Sequence, residues 1–148
     1  MKVQPARFRQ MVLVVGMVAL VAACSGDSSS EVTLEDIVNE DLDGGDFSAT
    51  GSAICDSGET NSLDWNVTET LWWYESEFTC ADGSGTFVLG AELPPPPDPD
   101  TEAALEPLDG TWTVQSGSGD YSNLEGSGTL TAAPEPPIVS YAGEMTNG

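Results

Sequence analysis

The chain almost entirely lacks basic side chains. It has no histidine, and Lys2, Arg7 and Arg9 are its only lysine and arginines, against 25 aspartates and glutamates. Without histidine there is no Ser-His-Asp or Cys-His nucleophile, and without a later lysine there is no Schiff base or lysine-bearing phosphate loop. Nucleic acid and anionic lipid headgroups bind basic patches, so we expect no nucleic-acid partner.

Every carboxylate lies at or beyond Asp27, where no basic side chain can neutralise it. Each must be solvated, hydrogen-bonded to the backbone or paired with a cation from outside the chain. A cationic partner, a metal ion or a neutral ligand remains compatible with this composition. Solubility and adaptation to a salty environment also explain the acidity without any ligand.

The N-terminal region has the layout of an export signal. A short basic segment precedes thirteen mostly apolar residues at 11–23, a run too short to span a bilayer as a helix. The sequence therefore predicts that residues 1–23 are a cleaved signal peptide.

Residues 20–24, Leu-Val-Ala-Ala-Cys, followed by Ser25, Gly26 and a serine run, resemble the lipobox of bacterial lipoproteins. The resemblance implies that the Cys24 thiol carries a diacylglyceryl group, that Cys24 becomes the first residue, and that its amine is often acylated, commonly with palmitate. It places the protein outside the cytoplasm, anchored by lipid in the cell membrane or at the outer surface. The alternative is an ordinary signal peptide with a leftover cysteine.

Three cysteines are an odd number. If Cys24 carries lipid, Cys55 and Cys80 remain as an even pair in an oxidising compartment, and we predict a disulfide between them. Their separation is unlike that of a Cys-x-x-Cys redox pair, so the bond is expected to be structural.

Two segments follow the signal peptide. Residues 24–45 hold the lipidated cysteine, a flexible tether at 25–30 and a short helix within 31–42, for which a first strand is the alternative. Residues 46–148 form the main domain. The proline-rich stretch 94–99 is expected to be an extended surface loop inside it.

Alternating apolar residues predict several short strands between glycine-rich turns. Trp72, Tyr74, Phe78 and Cys80 share one face, and a turn at 81–85 leads into a second strand, so a hairpin is expected. Later strands are predicted at residues 111–116, 128–133 and 138–146. The fold class is therefore all-β, a small antiparallel β-barrel or sandwich with one disulfide.

The stretch from Gly110 to Leu130 has the rhythm of strand, Gly-x-Gly, aromatic, Leu-x-Gly-x-Gly and strand. It is similar to the allene oxide cyclase and dirigent-like barrels. The resemblance implies a barrel of about eight strands with an apolar cavity, which in characterised relatives holds hydrophobic substrates. None of their functional residues matches a position here.

Two groups of residues are candidate ligand sites. Asp41, Asp43 and Asp46 surround a glycine turn and are a candidate Ca²⁺ site, because hard cations prefer oxygen ligands. Trp65 and Trp73 are expected to point away from the core, where an exposed indole could stack on a sugar or an apolar ligand. No catalytic residue and no obligatory cofactor is predicted.

Two functions remain. The first is a non-catalytic, lipid-anchored, extracytoplasmic binding or interaction module. The second is a barrel enzyme of isomerase or cyclase type that acts on an apolar substrate through preorganised carboxylates and tyrosines. A filled interior would favour the module, whereas an enclosed cavity with one desolvated acid would favour the enzyme.

Overall fold

The computed structural model describes residues 29–148. The predicted signal peptide, the predicted lipidation site Cys24 and most of the predicted tether lie outside the described residues. In the described part no helix is long and apolar enough to cross a membrane.

Eight β-strands and one short 3-10 helix make up this region. They are β1 (Ser30–Val38), β2 (Gly44–Thr50), β3 (Ser57–Val67), β4 (Trp72–Cys80), β5 (Gly85–Leu93), the 3-10 helix (Glu102–Leu105), β6 (Leu108–Gly119), β7 (Leu124–Pro134) and β8 (Pro137–Asn147). Each strand pairs antiparallel with the next, and β8 pairs with β1 to close the barrel. The all-β prediction is confirmed, and the barrel rather than the sandwich is found.

The helix predicted within residues 31–42 is wrong, because this segment contains β1. Val32, Leu34 and Asp36 are buried while the residues between them are exposed, which is the period of two that a strand imposes. β1 pairs with both β2 and β8, so the barrel begins at Ser30 rather than at residue 46.

β3 is a strand that the sequence patterns do not reveal. Only one of its eleven residues, Thr60, is buried, so it has no apolar alternation to recognise. The interval left between the strands predicted at 111–116 and 128–133 is also too long, because β6 runs to Gly119 and β7 begins at Leu124.

Aromatic side chains fill the middle of the barrel. The rings of Phe78 and Phe87 stack with centroids 5.1 Å apart, and Phe47 and Tyr141 meet Phe78 edge-on at 5.2 and 5.9 Å. Such pairs add about 0.5–1.5 kcal/mol each beyond the burial of their area. The interior at this level is therefore occupied by side chains.

Trp112 occupies a space that glycine provides. A Cβ on Gly143 would come within 2.7 Å of the indole Cζ2 atom, so a larger residue there would displace the ring. The indole Nε1–H donates to the carbonyls of Thr129 at 2.9 Å and Ala142 at 3.2 Å, which satisfies its one donor in the interior.

The end of the barrel that carries both ends of the described chain is closed by loops, and we call it the proximal end. Residues 53–55 are buried against the core there, as are Tyr121 and Leu124. Cys55 and Cys80 form the predicted disulfide, with Cα atoms 6.0 Å apart. Because eight antiparallel strands run alternately up and down, β1 starts and β8 ends at this end. The opposite end is called the distal end.

Candidate binding site at the distal end

The β3–β4 hairpin projects at the distal end beyond the edge of β2. The β2–β3 ladder ends at Asn61, and one further bond joins the Ser62 N–H to the Asp43 carbonyl at 2.8 Å. From there to Val67, β3 pairs only with β4. Among residues 29–148, the hairpin therefore has one edge without a neighbouring strand.

A β-bulge decides which side chains of this hairpin face the barrel axis. The register of β3 against β4 skips Leu63, so Trp65 pairs with Tyr74 and Val67 pairs with Trp72. Directly paired residues lie on the same face of an antiparallel sheet. Trp65 and Val67 thus share the face of Trp72 and Tyr74, yet Trp65 remains 66% exposed because the hairpin extends past the core.

All of the large apolar side chains that are exposed in the described residues lie toward the distal end. They come from the end of β1, the β1–β2 turn, the projecting part of β3, the β3–β4 turn and the 3-10 helix. We call this set the apolar rim: Ile37, Leu42, Leu63, Trp65, Val67, Leu71 and Leu105. Grouped exposure of this kind marks an interaction site more often than single exposed residues do.

The loops at the distal end are also the acidic ones. The β1–β2, β3–β4, β5–β6 and β7–β8 connections carry three, one, four and one carboxylates respectively, and all nine are exposed. The three proximal connections carry one each, namely Asp56, Asp82 and Asp120. The distal end therefore combines apolar side chains with a concentration of negative charge.

A buried polar cluster lies inside the barrel below the rim. Asp36 faces the interior and is only 4% exposed, Thr60 is equally buried, and the hydroxyls of Tyr74 and Tyr141 share a hydrogen bond with oxygens 3.2 Å apart. Thr60 lies close enough to favour ionised Asp36 slightly. The two do not form a well-aligned hydrogen bond, since Asp36 Oδ1 and Thr60 Oγ1 have no partner among the described residues.

Burial governs the proton affinities in this cluster. Desolvation, and to a smaller extent the nearby negative charge of Asp46, raises the pKa of Asp36 from 3.8 to about 6. Desolvation also raises the pKa of Tyr74 to about 12 and that of Tyr141 well above its ordinary value. Both tyrosines therefore stay neutral donors, and Asp36 changes charge near neutral pH.

The structure does not bring Trp65 and Trp73 together. Trp73 pairs with Asn66 and Glu92 on the outer face of the hairpin and is partly buried, whereas Trp65 lies on the inner face. The expectation that both point away from the core fails for Trp65 because the extra residue in β3 reverses its side. The aromatic neighbours of Trp65 are Tyr74 and Trp72 instead.

The three aspartates of the candidate Ca²⁺ site are likewise not assembled. Across residues 29–148 no three His, Cys, Asp or Glu side chains lie close enough to hold a metal ion. Asp41 and Asp43 are in the β1–β2 turn, where Asp43 accepts a 2.6 Å hydrogen bond from Asn39. Asp46 is inside β2, opposite Ile37 and Glu59, which removes it from the turn.

The described region has two concavities on its surface. One, of about 450 Å³, crosses β2, β1, β8 and β7 and presents outward hydroxyls such as Thr33, Ser48 and Thr131. The other, of about 470 Å³, lies beside Gly58 and Cys80. Both are open to solvent, in contrast to the enclosed apolar cavity that the barrel resemblance implies.

Sequence reasoning missed Asp36, Thr60 and Tyr141. The helix predicted for the surrounding segment gives no reason to place Asp36 in the core. With β1 assigned correctly, its place after Val32 and Leu34 in the buried alternation would have identified an acid in the core.

Comparison with known protein families, with curated proteins and with solved structures finds no significant match. The function must therefore be argued from the fold and the distal end alone.

Proposed function

We propose that the mature protein is an extracytoplasmic, lipid-anchored binding module without a catalytic centre, held to the membrane through Cys24 and binding its partner at the distal end. The lipobox resemblance supports the anchor, and the aromatic filling of the barrel supports binding rather than turnover. The proposal depends most on one observation, which is that the apolar rim and the proximal chain ends lie at opposite ends of the barrel.

This arrangement fits an anchored receptor or adaptor. Cys24 precedes Ser30 by six residues, so a lipid at that position would hold the proximal end near the membrane. The rim would then face away from the bilayer, where a partner can reach it. The acidic loops disfavour contact between the rim and anionic lipid headgroups.

The anchor is tested with Cys24→Ala. We expect the protein produced in a bacterium to partition into the detergent phase, because two acyl chains hold firmly where one holds marginally. The variant should move to the aqueous phase. A wild-type protein that stays aqueous would contradict the anchor.

Binding at the distal end is tested by thermal shift on a soluble form that begins at Ser25, with sodium, calcium, a chelator, glycans and fatty acids. We expect one ligand class to raise the melting temperature, as any ligand specific for the folded state must. Trp65→Ser should abolish the shift, while Trp73→Ser, on the opposite face of the same hairpin, should retain it. Equal loss in both variants would contradict a site on the inner face of the distal hairpin.

A barrel enzyme is the second candidate, and Asp36 is the observation that favours it. A desolvated carboxylate beside two neutral tyrosine hydroxyls could take a proton from a carbon next to a carbonyl, with the hydroxyls stabilising the enolate oxygen. Deuterium uptake from D₂O into apolar ketones, catalysed by the protein and lost in Asp36→Asn, would establish this function in place of the first.

A further inference from the structure

We infer that the apolar rim binds a basic, amphipathic segment of a protein partner. The inference rests on the proposed function and names the class of partner at the same distal site. Three features of the distal end lead to it: the spread of the rim, the charge around it and the condition of the free strand edge.

The rim is too widely distributed for a small ligand to contact it all. Its members come from five separate segments of the chain, from the end of β1 to the 3-10 helix between β5 and β6. A partner that covers Leu42, Trp65 and Leu105 together must extend across the width of the barrel end. Apolar side chains of an amphipathic segment supply that kind of contact.

The charge around the rim selects for a basic partner. The distal connections carry nine exposed carboxylates and the proximal connections three, and no lysine, arginine or histidine follows residue 10 to pair with them. Lysine and arginine on a partner would meet acids that have no competing internal ion pair. Charge complementarity of this kind speeds association and suppresses acidic partners.

The free edge of β3 is poorly suited to pairing with a further strand. The partner is therefore expected to dock through side chains rather than by adding a strand. The Trp65 N–H already donates to Asp64 Oδ1 at 2.8 Å, and the Ser62 N–H donates to Asp43. The bulge at Leu63 further interrupts the ladder. Backbone N–H groups that are already hydrogen-bonded, together with β-bulges, keep edge strands from pairing with strands of another chain.

The probe is a synthetic amphipathic peptide of lysine and leucine, titrated calorimetrically into the soluble form at physiological ionic strength. Two peptides of equal length serve as controls, one with glutamate for lysine and one with serine for leucine. We expect the lysine–leucine peptide to bind at least about tenfold more tightly than either control. Trp65→Ser together with Leu71→Ser should reduce its affinity by a similar factor.

Two charge-matched triple variants separate a distal site from attraction to the whole polyanion. One removes three charges from the distal connections (Asp100→Asn, Glu102→Gln and Glu106→Gln), and the other removes the three charges of the proximal connections (Asp56→Asn, Asp82→Asn and Asp120→Asn). All six side chains are exposed, and both variants change the net charge equally. The distal variant should weaken peptide binding several-fold and the proximal one should leave it nearly unchanged.

Each other outcome counts against the inference in a distinct way. Equal weakening by the two triple variants would show attraction to net charge alone. Tight binding of the serine or glutamate control would refute a basic amphipathic partner, while a ligand shift that depends on Trp65 would leave the proposed distal site standing. Absence of binding by any peptide would overturn the inference. If, in addition, no ligand of the panel raised the melting temperature, the proposed distal site would be overturned as well.

Discussion

Replacing Asp36 with asparagine stabilises the barrel at pH 8 and has little effect near pH 4. The pKa of Asp36 in the folded protein is about 6, against 3.8 for an ordinary aspartate. Above pH 6 the folded state holds a charge that burial disfavours and that the unfolded chain solvates freely. At 1.36 kcal/mol per pKa unit, removing this charge should raise the free energy of unfolding by at most about 3 kcal/mol. The gain should be smaller than this because the amide of the asparagine also requires hydrogen-bond partners.

The sign of the pH dependence follows from proton linkage. Between pH 3.8 and about 6 the folded state binds the proton that the unfolded state has lost, so the contribution of Asp36 to stability falls as the pH rises through this window. The groups that face it do not reverse this sign. Asp46 from β2 adds negative charge, and Tyr74 from β4 and Tyr141 from β8 remain neutral.

The measurement is urea unfolding of the wild type and Asp36→Asn from pH 4 to pH 8, reported as the difference between them. This difference cancels the general repulsion among the carboxylates, which also changes with pH. Glu35→Gln is the matched control, since it removes one charge from the adjacent, exposed position of β1. A constant difference between Asp36→Asn and the wild type across this range would show that Asp36 is ionised normally.

Removing the disulfide gives the other large expected effect. Cys55 and Cys80 are 25 positions apart, and the chain-entropy model assigns roughly 3.5 kcal/mol to closing a loop of that length in the unfolded chain. Small domains have a net stability of about 5–15 kcal/mol. The double variant Cys55→Ala/Cys80→Ala should therefore lose a large share of its free energy of unfolding. In this variant residues 53–55 also lose their covalent link to β4.

Denaturant unfolding of the soluble form, with and without a reductant, checks this expectation. The reduced wild type and the double variant should unfold at similar, lower urea concentrations, whereas the reductant should not change the variant. Two free thiols in the untreated wild type, detected by mass spectrometry, would contradict the bond itself.

The sequence predicts the part of the barrel whose strands show a period of two in their apolar residues. The hairpin of β4 and β5 and the later strands β6 to β8 alternate apolar and small residues, so their period is visible. The disulfide follows from counting cysteines once Cys24 is set aside.

The remaining part could not be predicted, for physical reasons that differ between residues. β3 is exposed along nearly its whole length, so tertiary pairing rather than its own pattern makes it a strand. β1 satisfies helical and extended periods equally well until its partners β2 and β8 are known. The neighbours of Asp36 come from β3, β4 and β8. No spacing of residues along the chain indicates that these side chains lie close together in the fold.

The extra residue in β3 determines which side chains lie on the inner face of the hairpin at the distal end. Since side chains along a strand alternate between its faces, one residue gained or lost before Asp64 would exchange the inner pair, Trp65 and Val67, for polar neighbours. The closed scaffold below would keep its core. A change in the length of this projecting hairpin would thus alter the surface of the distal end without altering the core of the barrel.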